Sequence, residues 1–504
     1  MTKAKNRCDK IVMICAEYYI VLPIIIFMFG WLKTMYAIAG CIMIIGLAVT
    51  LYRALGKTEK GSIDIFSRKN VTFWVAVIII SAIWVYMSGI GGYAYQNGDH
   101  WARNPIFNDL STYSWPVVFD LSAESQIVKS ICGDGEVAFS YYFSWWLPVC
   151  LIAKVFNLAY NVRNVLLYSW ALLGILLIIY LMCRKFGYVC IGGVIALMAF
   201  SGLDAIPIWM SHNFFDTFPW NGHIEWWAHY FQYSSHTTQL FWVFNQSIPI
   251  WLIVAVLIQL DDAKCIAGLS SLAFAYSPWA TFGMVPYAIY GSVKGKKEIK
   301  SAVNPFNLLV PAVMLIVFGT FYMAGSGSDG YIGFIFMKYP DEKRRILCNY
   351  LLFILFEFGL FYLVMGREAF GYKYYWVTLL ELILFPLFIV RDGNFIMRGS
   401  IPALFMTMVY VVSYLLKNKD SKSHKIRRYM LIGILGLGFL TPLSEINRTL
   451  VQTSTNDNIL QEQVGSFGNI QTEDEGLIKV TRVQFFVYDY ENKFFFKYLA
   501  RDGK

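Results

Sequence analysis

Residues 71–90 read VTFWVAVIIISAIWVYMSGI and hold no Asp, Glu, Lys or Arg. As an α-helix, such a run is about 30 Å long, matching the hydrocarbon thickness of a bilayer. Arg68 and Lys69 precede it, and the polar stretch Gln96-Asn97-Gly98-Asp99-His100 follows. A charge-free run of this length with basic residues at one end reads as a transmembrane helix that starts on the cytoplasmic side.

The rest of the chain repeats the pattern. Further candidate spans lie at 11–30, 35–53, 164–183, 188–207, 240–259, 305–323, 346–365, 375–391, 400–416 and 429–443. Charged residues make up only 15% of the 504 and hydrophobic ones 57%, with a mean hydropathy of +0.51. A soluble domain carries about 25% charged residues, so cytosolic enzymes, secreted modules and nucleic-acid binders are set aside. The net charge of +9 sits mostly in short loops between apolar runs, where it reports orientation rather than an anionic partner. The nine cysteines form neither a disulfide framework nor a C-x-x-C metal pattern. The first run follows Lys3, Lys5, Arg7 and Lys10 without a small-residue cleavage site, and reads as an uncleaved span.

Two runs resist a simple reading. Val137 to Phe156 is interrupted by Pro148, and if it spanned it would put Arg184 and Lys185 outside, so it is expected as a juxtamembrane or re-entrant helix. Cys265 to Tyr290 has Ser277-Pro278 at its middle and charged residues at both ends, which predicts a helical hairpin or two short, broken helices returning to the cytoplasm. The result is an all-α polytopic membrane protein of about 11–13 transmembrane helices. Residues 1–443 form the helical domain, with exterior loops at 91–163, 208–238, 325–345 and 391–399, and residues 444–504 form an exterior C-terminal segment. The N-terminus is expected in the cytoplasm and the C-terminus outside, in a plasma membrane. The tail is polar through Gln452 to Glu475 and then alternates aromatic and polar residues, which suggests one or two strands or a small cap.

Polar chemistry is concentrated outside. Five of the six histidines (His100, His212, His223, His229, His236) fall in two exterior loops. In the first, Asp99 follows the end of a span, with His100 beside it, Arg103 four residues on and Asp109 ten residues on. An acid there suits a general base at headgroup level, while the same spacing also suits a helix cap paired to Arg103. In the second, His212 and Asp216 would share a helical face and His223 with Glu225 is a tolerable ligand pair, so a divalent metal is conceivable. The crowd of Trp, Tyr and His reads more readily as an interfacial aromatic belt, or as a sugar-stacking surface of Trp226, Trp227 and Tyr230.

Exterior basic residues depart from the positive-inside pattern: Lys338, Lys343, Arg344 and Arg345 in one loop, and Arg398 in another. They can bind headgroup phosphates or a phosphorylated lipid, or pair with Asp341, Glu342 or Asp392. Three carboxylates, Glu17, Glu357 and Glu381, fall within apolar runs; only Glu357 reads as deep.

An outward-going helix, an exterior loop opening with an Asp, and the segment Tyr141-Tyr142-Phe143-Ser144-Trp145-Trp146-Leu147-Pro148 ending in Lys154-Val155-Phe156 resemble the multi-spanning glycosyltransferases of the GT-C superfamily. Phe231 to Thr238, including His236, Ile396 to Pro402, and Phe494 to Leu499 are similar to bacterial members of that group. The resemblance is fullest over residues 71–290. It implies a sugar donor carried on a polyprenyl phosphate, a cell-envelope glycan or glycolipid as acceptor, and inverting transfer on the outer face. Asp99 would then accept the acceptor's proton and Arg398, with Arg344 or Arg345 as second choice, would hold the leaving phosphate. Family members often show two closely spaced acids in the first loop; here the second position is His100, which leaves Asp109 as an alternative base. Some members need a divalent metal, Mg or Mn, and some do not.

The main rival reading is a transporter or flippase of a lipid-linked or anionic solute, with Glu357 and Glu381 as coupling acids. A polysaccharide polymerase or ligase is a further alternative.

Overall fold

In the computed structural model the described residues are 2–56, 63, 65, 67–211, 223–325, 331–390, 394–417, 421–455 and 464–502. Among them, eight helices are long and apolar enough to cross a membrane: Cys8–Trp31, Thr34–Gly56, Asn70–Met87, Tyr160–Phe186, His236–Leu257, Pro305–Ala324, Pro340–Ala369 and Lys422–Thr455. The run at 71–90 is thus a helix over most of its length. Its outward residues, Val71, Val75, Ile78, Ile79 and Ile83, are apolar as well as exposed, the opposite of a water-facing helix. The chain is an all-α multi-pass membrane protein.

Helix starts follow from local chemistry. The Ser67 hydroxyl accepts from Asn70 N–H, the Ser235 hydroxyl from Thr238 N–H at 3.0 Å, and the Asn304 side-chain Oδ1 from Phe306 and Asn307 N–H. Pro278 and Pro305 begin their helices, where a missing N–H costs nothing.

The span count is lower than expected, and the reason is breakage. The run at 188–207 is broken: it is helical over Ile191–Ala199, Phe200 takes extended backbone, and a second short helix, Ala205–Ser211, begins only at its end. Tyr375–Leu387 and Ile401–Leu416 are apolar but short. The two ambiguous segments are short and broken: Ser144–Val155 and Ala263–Ala275 are short apolar helices, and Ser277 caps a second helix, Pro278–Val293. The expected boundary at 443 falls inside helix Leu440–Thr455, so the tail does not begin there.

His236–Leu257 is the central helix, buried along almost its whole length. It is not continuous: Val243 has φ −136° and ψ 36°, and Pro249 has no N–H for the Asn245 carbonyl. Side chains take up the slack, with Ser247 Oγ donating to Gln239 O at 3.1 Å and Asn97 Nδ2 to Phe241 O at 2.7 Å. Asn97 thereby ties the start of the first long loop to the break.

Long connections gather at one end of the bundle. β1 (Val118–Asp120) pairs antiparallel with β2 (Glu136–Phe139), and the tail adds β5 (Phe486–Val487) on the other side of β2. The tail then reaches the end of the first helix, where Arg501 N–H donates to Trp31 O and Lys33 N–H to Leu499 O, both at 2.9 Å. The expected cap is therefore built jointly from residues 118–139 and the tail.

Inside a bilayer, close packing rather than water exclusion joins helices, and small residues allow it. A Cβ on Gly174 would lie 2.5 Å from Ile248 Cγ2 and 2.5 Å from the Tyr19 hydroxyl. We predict that Gly174→Ala costs about 1–3 kcal/mol through overpacking, read as a lower melting temperature in detergent.

Candidate functional site

The first long loop folds into the helix His100–Thr112, with Asp99 at its N-cap position. The Asp99 side chain makes no cap hydrogen bond and instead pairs with Arg103 Nη2 at 2.6 Å. Both readings of the spacing thus meet in one geometry: the acid is paired at i+4, yet its side chain keeps 41% exposure while Arg103 keeps 4%. The Arg103 guanidinium lies 5.3 Å from the centre of the Phe244 ring, on the residue after the break in the central helix.

Phe244 is the hub of a polar cluster. The His100 ring stacks on it at 5.4 Å, and Trp145 and Trp146 meet it edge-on at 5.4 and 5.9 Å. Within this cluster His100 Nε2, Arg103 Nη1, Trp146 Nε1, Asn245 Oδ1 and Gln246 Nε2 are buried without hydrogen-bond partners among the described residues. Each unpaired buried polar group costs on the order of 1–3 kcal/mol, and these five lie on three segments that meet near Phe244, which leaves that region open to a polar partner.

A second arginine reaches the same place from another helix. Arg398, on Asn394–Gly399, donates from Nη1 to the Tyr142 hydroxyl at 2.8 Å and lies over the Tyr142 ring at 5.7 Å. The Tyr142 ring lies tilted against Tyr141 at 3.9 Å, and the Tyr142 carbonyl accepts from Asn245 Nδ2 at 3.4 Å. Burial, with the Tyr142 hydroxyl beside it, holds the Tyr141 hydroxyl well above its ordinary value, and the Arg103 and Arg398 charges only partly oppose this. Gly283 makes room for the Arg398 helix: a Cβ there would meet the Gly399 carbonyl at 2.2 Å.

An apolar cleft of about 280 Å³ opens beside this assembly, between Pro278–Val293 and Pro305–Met314. Phe274, Pro278, Phe282, Val285, Pro311 and Leu315 line it. Phe282 also meets Phe395, on the Arg398 helix, at 6.1 Å. At the head of the same helix, Ser277 Oγ donates to Gln246 Oε1 at 2.8 Å. The cleft therefore adjoins the polar cluster through one helix.

Comparison with protein-family models, curated proteins and solved structures finds no match. The assignment of roles rests on geometry alone.

His100 is set apart from acid–base work. Burial, reinforced by the Arg103 charge, pushes its imidazole down to about 3, so it is neutral at physiological pH. Asp109 faces elsewhere: ten residues along a helix is roughly 15 Å from Asp99. Its Oδ2 accepts from Phe467 N–H at 2.7 Å, pinning the tail, and Arg482 lies over the Phe467 ring at 4.1 Å. Asp109 is a structural pin rather than the alternative base.

Burial pushes the Asp109 carboxyl up to about 7 from an ordinary 3.8. The folded state then binds more protons than the unfolded state between about pH 4 and 7. Its contribution is complete at low pH and lost as the pH rises through about 7. Asp109→Asn keeps an acceptor for the Phe467 amide and should flatten this dependence. Limited proteolysis of the tail from pH 5 to 8 checks it: cleavage should rise with pH in the wild type and not in the variant.

The second loop departs from expectation. Trp227 does not present a flat face for sugar, because its indole N–H turns inward to Asp204 Oδ1 at 3.0 Å and Glu357 Oε1 at 3.2 Å. Trp226 remains 61% exposed, stacked on His223 at 5.0 Å. Tyr230 donates to Glu342. His223 and Glu225 are not a ligand pair: His223 Nδ1 meets Glu445 at 3.3 Å, while Glu225 accepts from Ser235 N–H, Thr238 Oγ1 and Gln232 Nε2. Burial, with Asp204 and Glu445 nearby, pushes the Glu225 carboxyl up to about 8. His236 is no loop residue; it opens the central helix, fully buried against Phe200, Trp251 and Phe405. His212 and Asp216 lie outside the described residues. Among the described residues no group of three His, Cys, Asp or Glu side chains is arranged to hold a metal.

Arg345 pairs with Glu342 at 3.3 Å and Arg344 is exposed; among the described residues no hydrogen bond or ion pair links either to the Asp99 assembly. Of the candidate arginines, only Arg103 and Arg398 converge. Glu17 and Glu381, expected within reach of polar surroundings, are buried like Glu357. Tyr142 and Trp146 lie in the aromatic segment that carries the resemblance but were given no role, and Asn245 and Gln246 are the site residues that sequence reasoning missed. Their one visible signal is a polar triplet, Asn245-Gln246-Ser247, followed by Pro249 inside an otherwise apolar run.

Proposed function

We propose that the chain is an integral membrane glycosyltransferase that moves a sugar from a polyprenyl-phosphate donor to a cell-envelope glycan or glycolipid by inverting displacement. The observation that carries this reading is that Arg103, on Phe244, and Arg398, on Tyr142, are joined through the neighbouring Asn245, which donates to the Tyr142 carbonyl, beside an exposed carboxylate and an apolar cleft. Two guanidinium groups at one end of a span bundle suit a phosphate at headgroup depth, and the cleft suits a lipid chain.

In the proposed reaction Asp99 takes the proton of the acceptor hydroxyl as its oxygen attacks the anomeric carbon. The bond from that carbon to the phosphate oxygen breaks, and polyprenyl phosphate leaves as an anion. The phosphate needs no proton, only positive charge that is in place before the bond breaks. Arg103 serves twice, orienting Asp99 through one nitrogen and offering Nη1 to the anion. His100, neutral and stacked on Phe244, sets the wall of the site. A polymerase or ligase would use the same phosphate site with less dependence on Asp99.

A transporter or flippase is the second reading, and one observation favours it. Glu381 is buried within an apolar helix, as expected of a coupling acid.

A thermal-shift panel tests the proposal. A donor that binds only the folded protein stabilises it by about 2.7 kcal/mol at a hundred times its Kd. One polyprenyl-phosphate sugar should raise the melting temperature, and free sugars should not. A panel in which no lipid-phosphate sugar stabilises the protein would refute the donor class.

A further inference from the structure

Strand β3 (Ile332–Phe334) pairs antiparallel with β4 (Phe388–Val390), in the register Ile332 to Val390, Gly333 to Ile389 and Phe334 to Phe388. Alternation along the strands splits the ribbon into two faces. One is turned to the protein, where Ile389 is buried. The other carries Ile332, Phe334, Phe388 and Val390, with the Phe334 and Phe388 rings 4.5 Å apart. Ile332 is 69% exposed, and Met337, just beyond β3, is 75% exposed. An antiparallel ribbon facing water carries polar residues on its outer side; this one carries only apolar ones.

Position in the fold says what covers it. The span Pro305–Ala324 ends shortly before β3, and the span Pro340–Ala369 begins shortly after it. The ribbon is therefore held where helices leave the hydrocarbon, continuous with their lipid-facing surface. The flanking charge is of one dominant kind: residues 331–345 hold Lys338, Lys343, Arg344 and Arg345 against Asp341 and Glu342. Glu342 is occupied by Tyr230 and Arg345, and Lys338 lies over the rings of Tyr331 and Tyr339 at 5.8 and 5.4 Å. Lys343 and Arg344 remain exposed in the first turn of helix Lys343–Ile354.

We propose that the β3–β4 ribbon is a membrane-surface anchor: Ile332, Phe334, Phe388 and Met337 sit at the boundary between headgroups and acyl chains, and Lys343 and Arg344 hold the headgroups of anionic phospholipids. Apolar side chains next to basic ones are the composition that binds such a surface. The anchor does not depend on sugar transfer.

A diazirine amino acid placed at position 332 of the full chain tests this, in nanodiscs of equal phosphatidylcholine and phosphatidylglycerol. Mass spectrometry should find lipid adducts at 332, with phosphatidylglycerol enriched about fivefold. The same probe at exposed Glu473 in the tail should give none. K343Q/R344Q, at two exposed positions, should keep the adducts and bring their ratio to that of the nanodisc. Adducts with solvent or a second copy of the chain at 332, equal lipid adducts in the wild type, or a ratio unmoved by K343Q/R344Q would each overturn the anchor.

Discussion

Asp99→Asn is expected to lower the rate of sugar transfer by about 10²–10⁴-fold, the range that a positioned general base contributes. The substitution keeps the shape and an acceptor for Arg103 but removes the base. Because the Asp99 side chain is 41% exposed, the folded protein should tolerate the change. The loss should fall on kcat. Donor binding should hold or tighten, since Arg103 loses its counter-charge and keeps its place beside Phe244. Asp99→Glu, which restores a carboxylate on a longer arm, should recover part of the rate. Near-normal transfer by Asp99→Asn would remove this residue from the reaction.

Arg398→Gln is expected to fail differently. Removing a donor from a site where charge develops typically costs about 10²–10³-fold in rate, and here it also removes positive charge that binds the ground-state phosphate. Transfer should fall and the donor Kd should rise together, which separates this variant from Asp99→Asn. Arg398→Lys should restore charge but not the planar fork that reaches the Tyr142 hydroxyl, and so rescue binding more than rate. An Arg398→Gln protein with unchanged donor affinity would move the phosphate elsewhere.

The two readings of the protein divide on a third residue. Glu357 accepts from Trp227 beside Asp204, and Glu357→Gln can keep that acceptor. Transfer should survive it within about twofold, because an isosteric change away from the reacting atoms costs little. A solute-coupled transporter would lose its activity instead.

The sequence carried more of the fold's class than of its detail. Charge-free runs such as 71–90 identify membrane helices because length and composition suffice for that inference. The count came out too high because 188–207 stops as a helix at Ala199 and 375–391 ends in a strand, events set by neighbours rather than by hydropathy. Asp99, Arg103 and Arg398 were legible as candidates, since each is a charged residue just outside an apolar run. Their convergence was not. Arg398 and Tyr142 are separated by most of the chain, and only the fold brings them within a hydrogen bond. Trp227 misled for a related reason: a tryptophan in a loop looks available, and nothing local shows that Asp204 and Glu357 draw its N–H inward. Asp109 looked like a second acid because its partner, the Phe467 amide, is a backbone group far along the chain.

The most direct test is a single-turnover assay in nanodiscs, with the polyprenyl-phosphate sugar that stabilises the protein and an envelope glycan as acceptor. Release of polyprenyl phosphate should match sugar appearing on the acceptor, proceed in the wild type, and drop at least a hundredfold in Asp99→Asn with donor still bound. Binding of the donor without release in the wild type, or equal release by both proteins, would contradict transfer at the Asp99–Arg103–Arg398 site.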